Sequence, residues 1–106
     1  LQGLLAGVRT SPAFRLELAL AGFGFVLAFL LGRNWLEVVF LLAVLVLVLI
    51  VEMLNCGIEA AIDRVGFEIH PLSKLAKDYG SAAVFLSLVL CAGVWLNLLC
   101  VRLVAY

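Results

Sequence analysis

Charge is scarce in this chain. Seven Lys and Arg stand against seven Asp and Glu in 106 residues, and 67% of the sequence is hydrophobic. Charged residues make up 13%, about half the share found in a soluble domain, which excludes that class and indicates an integral membrane protein, expected to be all-helical from its long apolar runs. The formal net charge is zero, so no long-range field draws in nucleic acid or an acidic surface. Histidine occurs once and cysteine three times, with no Cys-x-x-Cys and no Cys/His cluster. This excludes a disulfide framework and a zinc site, and leaves Cys56, Cys91 and Cys100 as reduced thiols in largely apolar surroundings. Proline occurs only at Pro12 and Pro71, outside the long apolar runs. The length allows one domain, and the absence of a starting Met leads us to expect a fragment.

Three apolar stretches are long enough to cross about 30 Å of hydrocarbon. The first covers 13–31, with Arg15 and Glu17 near its start; its Gly22 and Gly24 are expected to be helix-packing points, because no strand precedes them and no Gly-Lys-Ser/Thr follows. Gly32-Arg33-Asn34 reads as a turn, and Trp35 as an interfacial anchor. The second stretch, 36–55, is uncharged from Val38 to Val51 and is expected to continue as a cytoplasmic helix to Gly66. The segment 67–72 reads as a loop with His70 solvated, and Ser73 as the N-cap of the last helix. The third stretch, 76–102, includes an uncharged run from Tyr79 to Val101. Ahead of the first span, Leu1 to Ala13 reads as a short segment lying at the interface or leading into the membrane, broken at Thr10-Ser11-Pro12. Five cations (Arg9, Arg15, Arg64, Lys74, Lys77) fall on one side and two (Arg33, Arg102) on the other, so the acidic end of the second helix is expected in the cytoplasm.

That acidic end, VEMLNCGIEAAIDRVG at 51–66, organises the rest. Glu52, Asn55, Glu59 and Asp63 are spaced three, four and four apart, which at about 100° per residue puts them in one stripe about 80° wide and about 16 Å long. Glu52 still lies among apolar residues, where an ionisable group costs on the order of 2.5–3.5 kcal/mol and is seldom carried without a use. Two carboxylates about 10 Å apart can divide labour, one holding a hard cation and one accepting a proton from a hydroxyl. Asn55 offers an orienting amide and Lys77 a charge for phosphate. These are the parts that phosphoryl transfer needs. The same spacing also fits an ion or proton pathway. Glu59, Asp63, Arg64 and Glu68 taken singly fit the wet end of a helix, and Lys77 a snorkelling anchor.

The pattern E-x-x-N-x-x-x-E-x-x-x-D, followed by His70-x-Leu72-Ser73 and by Ala76-Lys77-Asp78-x-Gly80-Ser81-Ala82-Ala83, closely resembles the signature region of the prokaryotic diacylglycerol kinases, small three-span enzymes related to undecaprenol kinase. Three spans in this order and the Phe14-Arg15 pair extend the resemblance over nearly the whole chain. It implies a homotrimer in the bacterial inner membrane with active sites between subunits, using MgATP to phosphorylate diacylglycerol to phosphatidic acid. Carried over residue by residue, it implies Glu52 as general base and Glu59 as the Mg²⁺ ligand. Asn55, Lys77, Asp78, Arg15 and Glu17 would act around nucleotide and substrate, with Asp63 in a supporting role.

One departure stands out. The family usually carries Asn-Glu two residues before Ala-Phe-Arg, and that glutamate shares the metal; here Ser11 occupies its place in Thr10-Ser11-Pro12-Ala13-Phe14-Arg15. A hydroxyl lacks the charge of a carboxylate ligand. Ser11 therefore leaves open a site that tolerates a weaker metal clamp, one helped by Glu17 or another group, a weakened or non-catalytic member, and, outside the family, a small ion-coupled carrier; His70-Pro71-Leu72, which also occurs in the undecaprenol branch, keeps that lipid open as the substrate. Most of the family's amphipathic N-terminal helix is also expected to be missing.

Overall fold

The computed structural model describes residues 1–66 and 70–105. Four helices follow one another: α1 (Gln2–Thr10), α2 (Pro12–Leu31), α3 (Trp35–Val65) and α4 (Pro71–Ala105). The expected all-helical class holds, and α2, α3 and α4 are each long and apolar enough to cross a membrane. At 31 residues α3 is about 46 Å long, so about a third of it extends past the hydrocarbon. Residues 67–69, Glu68 among them, lie outside the described residues.

Short polar side chains start α2 and α3. Ser11 Oγ accepts the Phe14 N–H at 3.1 Å and Pro12 takes the first turn of α2, where its missing N–H has no partner to lose. Asn34 Oδ1 accepts from Glu37 N at 3.0 Å to open α3, while Glu37 Oε1 accepts the Arg33 N–H at 2.9 Å. The start of α4 corrects the sequence reading. The helix begins at Pro71, two residues before Ser73 takes effect, because proline is preset for a first helical position and the His70 Nδ1 accepts the Leu72 N–H at 3.1 Å. His70 is therefore a capping residue. α3 stops at Gly66, whose φ of 151° lies where residues with a side chain rarely go.

In the packing, α3 is the middle helix, with α2 and α4 laid against it. Its buried residues, Val38, Leu41, Val44, Val48, Glu52 and Asn55, recur every three or four positions. The hydrophobic seam and the acidic stripe are thus one continuous helical face. Gly24 lets α2 approach: a Cβ there would come within 2.9 Å of Leu45 Cδ1, whereas a Cβ on Gly22 would meet nothing within 4 Å. The packing role expected of both glycines falls to Gly24 within the chain. α1 folds back so that Gly7 rests on Phe14, which is fully buried, and on the Met53 sulfur of α3. Residues ahead of the Thr10-Ser11-Pro12 break thus form a docked helix.

At the far end two arginines tie helix ends together. Arg102 Nη1 donates to Leu31 O at 2.9 Å at the close of α2, and Arg33 Nη2 donates to Val101 O at 3.1 Å near the close of α4. Trp35 is 70% exposed beside Phe29 at this end, as an interfacial anchor should be. The asymmetry of the two glycines gives a direct check. Gly24→Leu should lower stability by about 1–3 kcal/mol through overpacking, and Gly22→Ala should leave it close to that of the unaltered protein, both read from thermal unfolding in detergent.

Candidate active site

Polarity along α3 changes in step with depth. Glu52 is 6% exposed and Asn55 9%, while Glu59 and Asp63, one and two turns further on, are open to solvent. Asn55 Nδ2 donates to Glu59 Oε1 at 3.3 Å, joining the buried and wet parts of the stripe. Its other atom, Oδ1, is buried without a hydrogen-bond partner among the described residues. Such an acceptor forfeits its bonds to water, typically about 1–3 kcal/mol, unless a bound group supplies a donor or a positive charge.

The neighbouring helices complete the site. From α4, Lys77 reaches across to α3, its Nζ 3.0 Å from Asp63 Oδ1, and Gly80 presents bare backbone to Asn55. Both partners of the ion pair are about half exposed, so it contributes at most about 1 kcal/mol to stability and chiefly sets where the ammonium stands. Asp78 is placed differently: it accepts from Lys74 on its own helix at 2.8 Å and does not join Lys77 against α3. From α2, Glu17 is brought against Glu52, with its Oε2 buried and meeting no donor among the described residues. Two carboxyl groups this close repel unless a proton or a cation lies with them.

Arg15 is engaged elsewhere. Its Nη1 donates to Val8 O at 3.0 Å and to Arg9 O at 3.4 Å, capping the end of α1 rather than facing the stripe. Ser11, which stands where a metal-binding glutamate was expected, has its hydroxyl committed to starting α2. Of the residues singled out in the sequence, the fold therefore gathers Glu17, Glu52, Asn55, Glu59 and Lys77. Within the chain it keeps Arg15 and Asp78 on the margins. Sequence reasoning gave Asp63 only a supporting role and missed what that role is. Its link to Lys77 joins residues 14 apart on different helices, for which no local pattern exists.

The chemistry these groups permit is proton removal by a desolvated carboxylate beside an oriented amide, with an open acid and a lysine at the wet edge for a phosphorylated cosubstrate. Residues 1–99 match the family model for prokaryotic diacylglycerol kinase. The chain belongs to this family. It is similar to the diacylglycerol kinase of Pseudomonas aeruginosa, 46% identical over 99 residues that cover 93% of this chain and 80% of that one. The diacylglycerol kinase of Haemophilus influenzae is 41% identical over 95 residues, covering 90% and 80%. That of Escherichia coli K12 is 41% identical over 98 residues, covering 92% and 80%. This prokaryotic diacylglycerol kinase family member is accordingly a membrane-embedded enzyme of the kinase class, and the stripe on α3 is its candidate active site.

The capping role of Ser11 can be separated from any part in catalysis. Ser11→Ala should cost about 1 kcal/mol of stability, as loss of an N-cap does, and Ser11→Asp, which can still accept the Phe14 N–H, should retain it. Denaturant unfolding in detergent distinguishes the two; equal loss in both would remove the cap as the reason for a serine here.

Proposed function

We propose that this protein transfers the γ-phosphate of MgATP to the free hydroxyl of diacylglycerol, giving phosphatidic acid, at the cytoplasmic face of the bacterial inner membrane. The observation that carries the reading is the burial of Glu52 beside Asn55, on a helix that leads from the hydrocarbon to the water. Diacylglycerol keeps its hydroxyl near the headgroup level, and a nucleotide cannot leave the water, so the two must meet where α3 crosses that boundary. Glu52 is the base that takes the proton from the hydroxyl. Asn55 holds the approach between base and wet edge. Lys77, placed by Asp63, offers its ammonium to the phosphates.

The residues present fit Mg²⁺. This ion keeps several waters and is commonly held by one or two carboxylates together with substrate phosphates. Glu59, solvent-facing and with only one oxygen engaged by Asn55, provides such a carboxylate. Mg²⁺ bound there would neutralise charge on the phosphates. With Ser11 committed to its cap, the carboxylate supply on α2 reduces to Glu17, which faces Glu52.

The reading includes a homotrimer with sites shared between subunits. What supports it is the thinness of one chain: α4 is almost bare along its span, and Asp78 and Arg15 lie off the α3 stripe. Active-site groups on the outside of a single chain are those an adjacent copy would draw in. The cytoplasmic placement is supported by the five cations at the site end against two at the other.

Glu52→Gln separates base from scaffold. It should reduce phosphate transfer to diacylglycerol to background while MgATP binding, followed by equilibrium titration, stays within about twofold, since losing a proton acceptor affects the transition state and not ground-state binding. Parallel loss of turnover and nucleotide affinity would make Glu52 part of the nucleotide or metal site.

A further inference from the structure

Gly80 has no place in the chemistry above, yet of the glycines on α3 and α4 it is the one whose missing side chain leaves room for the other helix, whereas Gly57 and Gly93 face open space. A Cβ built on it would fall inside the contact radius of Asn55 Oδ1, with Asn55 Cγ at 3.3 Å and Ile58 Cδ1 at 3.7 Å. No alanine fits without moving Asn55. That side chain has little room to yield, because it is 91% buried and its Nδ2 is bonded to Glu59. Lys77 lies three residues before Gly80, hence on the same face of α4, and reaches Asp63 eight residues beyond Asn55 on α3. One interhelical contact therefore fixes both the amide in the buried half of the site and the lysine in its wet half.

We propose that Gly80 is a positioning residue of the kinase: its missing side chain sets the depth at which α4 docks on Asn55, and through Asn55 the orientation of the Glu59 carboxylate and the reach of Lys77. This rests on the functional reading of the α3 stripe given above. Glycine is poorly suited to the interior of a long helix, where alanine is the better former. Its presence in α4 is explained by the space that the Asn55 carboxamide occupies, and its cost to the helix is what a helix bears to admit that group.

The test is a double substitution read in two ways. In the otherwise unaltered protein, Gly80→Ala should lower kcat for lipid phosphorylation by about tenfold or more, as a displacement on the order of 1 Å of a positioned group does, and should lower the unfolding temperature in detergent. With Asn55→Ala in place the obstruction is gone, so Gly80→Ala should leave the unfolding temperature unchanged or raise it. Unchanged turnover in the single variant overturns the proposal. So does equal thermal destabilisation in both backgrounds, which would place the action of Gly80 elsewhere on α4. Absence of phosphate transfer by the unaltered protein would instead refute the functional reading, and the thermal comparison would still report on the contact itself.

Discussion

A carboxylate and a carboxamide cannot be left bare inside a membrane protein, and the way Glu52 and Asn55 are buried governs much of this fold. Both continue the seam along which α3 receives its neighbours, so the helix that forms the core also carries the chemistry. Burying them requires close cover. α2 supplies Glu17 beside Glu52, and α4 supplies a glycine backbone over Asn55. Not every polar atom of the site is satisfied by this arrangement: Asn55 Oδ1 and Glu17 Oε2 stay without hydrogen-bond partners among the described residues, and a bound substrate can use them.

The two ends of the molecule are held by different means. At one end Arg33 and Arg102 each close a helix on the other side of the structure, a mutual brace that needs no ligand. At the other, the groups are split between a brace and a site. Arg15 and Ser11 secure the α1–α2 corner, while Lys77 and Asp63 hold α4 to the wet part of α3. Exposure along α3 then rises from Glu52 to Asp63, which orders the site along the route from lipid to water.

Much of this was legible in the sequence because it follows from periodicity. The apolar runs mark the spans, and the three–four–four spacing places Glu52, Asn55, Glu59 and Asp63 on one face. The break at Ser11-Pro12 is legible as a helix boundary, but the hydroxyl that looks in sequence like a poor metal ligand is in the structure a cap. His70 is solvated and outside the helix, as the sequence indicates, but its capping role has no sequence signal: Pro71 is the first residue of α4, not part of a loop, and the imidazole satisfies the Leu72 N–H. What stayed hidden was pairing between helices. That Lys77 meets Asp63 while Asp78 turns to Lys74 depends on how α4 lies against α3, where Gly80 meets Asn55 in a contact of residues 25 apart.

The central claim, that the α3 stripe transfers phosphate to a membrane lipid, is tested most directly by supplying labelled MgATP to the protein in bilayers containing diacylglycerol and, separately, undecaprenol. The account predicts labelled phosphatidic acid from diacylglycerol, with undecaprenol a poor acceptor at equal mole fraction. Label in undecaprenyl phosphate alone would contradict the assigned substrate. No labelled lipid from either, from a folded oligomer, would contradict the assigned reaction.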